Sequence, residues 1–294
     1  MKEMILEKQL YYGQMFKELR TNRQFTLKQV ANDTVSVAQL SKFERGESDL
    51  SLTKFLSALK SINVSVTEFM NRVNDYQRFE QADLMSRMAR YYYDSDIQGL
   101  ENLIENQNIK AKQDLSNPRP RLNAIMFKGL ICQLDDSYKM KQSDLDYVSD
   151  YLFQVEHWGM DELILSGNLM EFYPTDLICR RVREILSREE FYAEISQYRQ
   201  LVEATLLNTI IICSERGDLD RIPEFDQALQ TIFSKKKHGV NNRIDYLYAK
   251  GFYHYVLGDN SGITDMKKAI TTFKMLECHD SASYYQKHFD RHIH

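Results

Sequence analysis

Glycine and proline are scarce, at 11 and 4 in 294 residues. So few helix breakers, beside many Leu, Gln, Glu, Lys and Tyr, predict an all-α chain. Long apolar runs are missing too. No stretch of about 18 apolar residues occurs, so no membrane span is expected. The opening MKEMILEKQLYYGQMF places acids and amides where a secretory leader needs an unbroken apolar core. The only cysteines are Cys132, Cys179, Cys213 and Cys278, none in CxxC spacing. They are expected to be reduced thiols of a cytoplasmic protein. Glycine-rich phosphate loops, GxSxG and HExxH are absent and no paired acid–base set stands out, so no enzyme is expected. Cys278, His279, His288, His292 and His294 crowd one segment without closed ligand spacing, so neither a metal nor a cofactor is expected.

Charge of one sign is lacking overall, since the net value is only −4, but it is unevenly spread. Residues 1–72 carry 11 Lys and Arg against 8 Asp and Glu, whereas the remainder carries 27 against 34. The basic part suits phosphate and the acidic part would repel it. Within the basic part, TLKQVANDTVSVAQLSKFERG (26–46) reads as two short helices joined by a tight turn. Leu27, Val30 and Ala31 give the first an apolar face, and Leu40 and Phe43 the second. Ser36 suits an N-cap and Gly46 a left-handed C-cap. Val35 is expected to pack inward. Ala38, Gln39 and Lys42 must then face out, with Val37 at the margin, as on a helix that enters a DNA major groove.

The stretch resembles the helix-turn-helix of the phage-repressor-like (XRE) class through Leu27, Val30-Ala31, Val35-Ser36, Leu40-Ser41 and Phe43-Glu44-Arg45-Gly46. Glycine is common in that class where Thr34 stands, so the turn is expected to use Asn32 or Asp33 for any positive φ. Gln39 can bond adenine N6 and N7 together. Lys42 and Arg45 suit phosphates, and Gln29 can reach backbone or base. Ser36, Val37, Ala38 and Ser41 complete the expected DNA-binding set.

Three further helices are expected in this part. Residues 9–22 turn Phe16 and Leu19 inward and Lys17, Arg20 and Arg23 outward. Residues 51–61 bury Leu52, Phe55, Leu56 and Leu59. Residues 65–72 start with a Ser65–Glu68 capping box. A domain boundary is expected near 70–76, passing stiffly into the next helix, which gives domains 1–72 and 73–294. Beyond it, helical hairpins recur. The clearest pair, 204–233 and 245–273, has Gly-Asp turns at Gly217 and Gly258, 41 residues apart. Weaker hairpins turn at Asp94-Ser95-Asp96, Asp135-Asp136 and Pro174-Thr175-Asp176. Five hairpins of this period resemble tetratricopeptide-like repeats, which stack into a right-handed superhelix with a concave face. The last helix, SASYYQKHFDRH, is expected to be a cap or a dimer contact.

A head of this class on such a body resembles the Rgg family of peptide-responsive transcription regulators of Gram-positive bacteria. FERGESDLSL (43–52), HWGMDELILSGNLMEFY (157–173) and LLNTIIICSERGD (206–218) carry the likeness most specifically. The resemblance implies a cytoplasmic homodimer that binds double-stranded promoter DNA and senses a short signalling peptide. The alternative is a repressor whose helical body only dimerises or binds a protein partner; a scaffold with a vestigial head is the reading from another class. For the peptide, Asn168 and Asn208 lie inside otherwise apolar helices, and a carboxamide can both donate to and accept from an extended backbone. Sensors of the resembled kind use inner-face asparagines in this way; the other reading is two core asparagines. Tyr248 and Tyr255, seven apart, can stack on apolar peptide side chains beside Ile212, or belong to the repeat core. Arg87, Arg180 and Arg216 are candidates to hold a carboxylate, although Arg216 abuts the Gly217 turn and can cap its own helix.

Overall fold

Helix follows helix through the computed structural model, which describes residues 2–73, 80–188, 195–235 and 240–293, with side chains from Leu10 onward. No strand occurs among the described residues. The chain divides into two compact units, Met1–Arg87 and Met88–His294. The segment expected to connect the two domains falls partly on 74–79, outside the described residues.

The first unit holds α1 (Lys2–Asn22), α2 (Leu27–Val30), α3 (Val37–Glu44), α4 (Leu52–Ser61), α5 (Val66–Val73) and the start of α6 (Glu80–Tyr93). α1 begins seven residues before the expected start. Phe16, Leu19, Val30, Val35, Leu40, Phe43, Leu59, Ile62 and Phe69 form one core. Rings of Phe16, Phe43, Phe55 and Phe69 follow one another at 5.8, 6.1 and 4.9 Å, tilted or edge-on as aromatic quadrupoles prefer. α4 departs from its expected face. Leu52 is 72% exposed and Leu56 41%, while Phe55, Ala58, Leu59 and Ile62 turn inward. Apolar residues at 52, 55, 56, 58, 59 and 62 fit two overlapping helical stripes, and only packing against α2 and α5 selects one.

Arg20 is the larger correction. It was expected outward, yet it is buried. Its Nε and Nη2 donate to both carboxylate oxygens of Glu44 at 2.6 and 2.8 Å, and Nη1 donates to the Phe25 carbonyl at 2.6 Å. The Glu44 of the aromatic-Glu-Arg-Gly run is therefore a structural anchor that ties α3 to α1. Gly46 follows at φ +70, where a Cβ would also meet the Leu10 backbone at 2.7 Å, so both conformation and space require glycine.

The second unit continues α6 and adds α7 (Ile97–Gln113), α8 (Arg119–Leu134), α9 (Gln142–Gln154), α10 (Met160–Leu169), α11 (Thr175–Ser187), α12 (Ser196–Arg216), α13 (Ile222–Lys235), α14 (Val240–Val256), α15 (Ser261–Met275) and α16 (His279–His292). The pairs α6–α7, α8–α9, α10–α11, α12–α13 and α14–α15 are the five expected hairpins, turning where the sequence indicated. α12 packs on α10, α11, α13 and α14. Its apolar residues run nearly all the way round, and between Val202 and Ser214 only Ala204 and Asn208 are exposed. α14 and α15 meet backbone to backbone: a Cβ on Gly262 would lie 2.1 Å from the Gly251 carbonyl oxygen. α16 packs on α15 and buries Ala282 and Tyr285, closing that end of the described stack.

The buried Arg20–Glu44 pair generates a prediction. Removing one partner leaves an uncompensated buried charge, which costs about 3–5 kcal/mol, whereas replacing both by apolar groups of similar size costs far less. The single tryptophan, Trp158, lies in the second unit, so its fluorescence follows that unit alone. In urea, Glu44→Ala is expected to shift only the part of the circular-dichroism transition that Trp158 fluorescence does not follow. Arg20→Met with Glu44→Leu is expected to recover most of that loss. A shift of the Trp158 transition by the same amount would contradict this placement.

Candidate functional site

The first candidate surface is α3 with its turn. Thr26 and Ser36 begin α2 and α3 with reciprocal caps. The Gln29 and Gln39 amides donate to the two hydroxyls at 3.3 Å, and the side-chain oxygens of the same glutamines accept from the Thr26 and Ser36 amides at 2.8 and 3.1 Å. Gln39 is therefore half-buried, with its carboxamide oxygen already engaged; reading adenine requires that oxygen to leave or share the Ser36 amide. Gln29 is exposed but held in the same way. The turn uses no left-handed residue at Asn32 or Asp33. Instead the Asn32 side-chain oxygen accepts from the Thr34 and Val35 amides at 2.9 and 3.2 Å, while its nitrogen donates to Ser57 and Ser61 on α4 at 3.0 and 3.1 Å. An asparagine side chain thus does by hydrogen bonding what a glycine does by conformation.

Val37, Ala38 and Lys42 are exposed on one side of α3, with Ser41 half-buried at its edge. Arg45 is exposed but not idle. It forms a bidentate pair with Glu47 at 2.5 and 2.7 Å and donates to the Ser41 hydroxyl. The pair raises the Arg45 pKa and lowers that of Glu47, chiefly through the hydrogen bonds between them. Phosphate must displace Glu47 to be held by Arg45.

The second candidate is a cavity of about 270 Å³ in the second unit. Its walls come from α6, α8, α10, α12, α14 and α16, the first helix of every hairpin plus the closing helix. Gln133, Asn168, Asn208, Asp245 and Ser281 supply the polar lining, one from each of the alternate helices α8, α10, α12, α14 and α16, beside Tyr92, Tyr93, Tyr284 and Tyr285. Asn208 is exposed and has no side-chain partner among the described residues. Asn168 donates to the Ile164 carbonyl of its own helix at 2.8 Å, which leaves its oxygen for another donor. Among the described residues neither asparagine is satisfied by a neighbouring helix. Burial pushes the Asp245 carboxyl up to about 6, against the lowering effect of a hydrogen bond with Tyr285. Burial likewise pushes the Tyr284 hydroxyl up to about 12 and raises those of Tyr92 and Tyr285, so these hydroxyls stay protonated donors.

The other residues expected at this site lie elsewhere. Tyr248 is fully buried, its ring 4.4 Å from Tyr285 and its hydroxyl 2.8 Å from His288 Nδ1, so no ligand can stack on it. Ile212 is buried in the packing of α12, and Tyr255, half-buried, does not line the cavity. Arg216 donates to the Tyr173 and Glu171 carbonyls at 2.8 and 2.6 Å and to Thr175 Oγ1 at 3.2 Å, satisfying the exit of α10 and the entry of α11 rather than capping its own helix. Arg180 is exposed on α11, an outer helix. Arg87 belongs to the first unit and pairs with Asp83 at 3.0 Å. Among the described residues no arginine lines the cavity, and the charged side chain in its wall is Asp245.

The sequence reading missed Gln133, Asp245 and Ser281. Their spacing carried a signal. Gln133, Asn168, Asn208, Asp245 and Ser281 succeed one another at intervals of 35, 40, 37 and 36 residues, a little under the hairpin period, so their place shifts from the end of α8 to the start of α16 along the series.

Comparison with known proteins follows this division. The family described as the C-terminal domain of the HTH-type transcriptional regulator Rgg matches residues 101–287, and the helix-turn-helix family matches 16–69. The fold is that of the Streptococcus dysgalactiae SHP pheromone receptor Rgg2, with a TM-score of 0.76 at 23% identity over 95% of this chain and 99% of that one. It is also that of a putative transcriptional regulator from Listeria monocytogenes EGD-e, at 0.80 and 18% over 96% and 97%. The PrgX/cCF10 complex aligns at 0.67 and 13% over 96% and 99%. Since the Rgg-specific match spans most of the chain and the helix-turn-helix match covers the head, the chain belongs to the Rgg family of helix-turn-helix transcriptional regulators.

Proposed function

We propose that the protein is a cytoplasmic, homodimeric transcription regulator whose binding to promoter DNA is controlled by a short peptide held in the cavity of its second unit. The observation that carries the reading is the ladder of polar side chains from Gln133 to Ser281, one from each of four hairpins and one from the closing helix, with Asn208 unpartnered among the described residues. An extended peptide loses water from its amides when it binds, and each amide left unpaired costs about 1–3 kcal/mol. A row of side chains with carboxamides at Asn168 and Asn208 offsets that cost whatever the peptide's side chains. At about 270 Å³ the cavity takes a short part of such a peptide, near the lower end of ordinary ligand pockets. Asp245 favours a cationic group there, where a carboxylate held by arginine had been expected. Support also comes from the structural relatives, which include a pheromone receptor and a peptide pheromone–receptor complex.

The head supplies DNA contact. Lys42 is exposed on α3 beside Val37 and Ala38. Two heads are needed for a two-fold operator, so sedimentation is expected to give twice the 34.7 kDa chain mass; a monomer at operator-binding concentrations would contradict it.

Gln39→Ala is expected to weaken operator binding by about 1–3 kcal/mol and to spare non-specific DNA. Glu47→Ala, which releases Arg45, is expected to strengthen both and to steepen the salt dependence by about one phosphate contact. Equal losses on the two DNAs for Gln39→Ala would show that it does not read bases.

Asn208→Ala is expected to abolish the response to peptide while leaving operator binding by the free protein intact. The readouts are fluorescence anisotropy of labelled peptide and of operator DNA. A peptide with a cationic residue should bind best above pH 6 and weaken as pH falls through about 6, because Asp245 then takes up a proton. The Asp245→Asn variant should lose that dependence. Unchanged peptide affinity in both Asn168→Ala and Asn208→Ala would remove the cavity from the account.

A further inference from the structure

Outside the cavity, one cluster of side chains has no part in DNA or peptide contact. Glu215 at the end of α12 meets His288 and His292, one helical turn apart on α16. Glu215 Oε1 lies 3.0 Å from His288 Nε2 and 3.3 Å from His292 Nε2, and the three ligand atoms are within 4.8 Å of one another. The two imidazoles are stacked, with centroids 4.5 Å apart, so both Nε2 atoms approach the same oxygen.

We infer that Glu215, His288 and His292 form a binding site for a divalent first-row transition metal of the zinc type, which clamps α16 to α12. Three features support a metal over a bare ion pair. Bonds of about 2.0–2.1 Å in a tetrahedron put neighbouring ligand atoms roughly 3.3–3.4 Å apart, close to the two glutamate–histidine spacings of 3.0 and 3.3 Å. Two imidazoles and one carboxylate are a borderline donor set that suits zinc and leaves a fourth position for water. The support around the ligands is also present. His288 Nδ1 is 2.8 Å from the Tyr248 hydroxyl, and that bond fixes the ring with Nε2 toward Glu215, as outer partners of metal-bound histidines do. Arg216, the cation next in sequence, is turned away to the Tyr173 and Glu171 carbonyls and does not compete for the carboxylate. The Glu215 side chain keeps 32% exposure and His292 28%, so an ion can enter from solvent.

The site gives the C-terminal histidines a role that their linear spacing concealed, because the third ligand lies more than 70 residues upstream. It also bears on the cavity. Tyr284 and Tyr285 on α16 and Asn208 on α12 line it, and the clamp joins these helices about one turn farther along α16 and two turns along α12.

The test uses the full chain stripped with a chelator, then titrated with Zn²⁺ alone by calorimetry and with Co²⁺ alone by visible absorption. One Zn²⁺ per chain is expected, with a rise in Tm, since an ion that binds the folded chain stabilises it. Co²⁺ should give the intense visible bands of a tetrahedral site. Tyr248→Phe should weaken Zn²⁺ binding about tenfold, Glu215→Gln and His292→Ala by more, and His279→Ala not at all. His292→Cys should retain binding and add a thiolate-to-cobalt charge-transfer band, which separates ligand loss from misfolding. Absence of Zn²⁺ binding, or undiminished binding in Glu215→Gln and His292→Ala, would overturn the assignment and leave a histidine–glutamate ion pair.

Discussion

The burial of α12 is the constraint on which the second unit depends. A helix that touches α10, α11, α13 and α14 has little surface left for anything polar. Yet Asn208 stands in its middle and Glu215 at its end, seven residues apart and so on nearly the same side. That open side faces the inner surface of the hairpin stack. Both positions stay open to solvent in the free chain; a ligand or helix that covers them must supply a partner, because burying an unpaired carboxamide or carboxylate costs free energy. For Glu215 the partners are the α16 histidines; for Asn208, among the described residues, there is none. Burial works to raise the Glu215 carboxyl, and its hydrogen bond to His288 with the nearby charges of His288, His292 and Arg216 outweighs it, so the group sits below its ordinary range.

In the head the same logic acts through Arg20 and Glu44. The FERG run that marks the helix-turn-helix in the sequence is held from behind by a two-pronged ion pair, and Arg20 has its third contact at the Phe25 carbonyl. With α3 fixed to α1, the Ser36–Gln39 and Thr26–Gln29 caps and the Asn32 bridge to α4 set the entry of the helix. The exposed side chains Val37, Ala38 and Lys42 then sit on a rigid support rather than on a loop, which favours reading a groove without a large ordering cost.

Much of this was legible in the sequence. The five hairpins followed from apolar periodicity and the turns, and the two-helix motif from its caps and core. Legibility ended where burial depends on a partner distant in the chain. Arg20 looks like any basic residue on a solvated face until Glu44, 24 positions later, is packed against it. Leu52 and Leu56 look like core because α4 offers two stripes. Tyr248 and Tyr255 share a face by spacing, but α16 covers the first. Asp245 went unnoticed because single residues were weighed; its place appears when Gln133, Asn168, Asn208 and Ser281 are aligned by repeat. Arg216 was placed beside its own helix end, whereas it serves carbonyls of the preceding hairpin, 43 and 45 residues earlier.

Control of DNA binding by a peptide is a coupling between two sites, and such coupling is reciprocal: each ligand must change the affinity of the other by the same factor. The most direct test is to measure the affinity of one signalling peptide for the full chain with and without saturating operator DNA, and operator affinity with and without saturating peptide. The account predicts one factor for both, removed in the Asn208→Ala variant. Peptide affinity that is identical in the presence and absence of operator would contradict it.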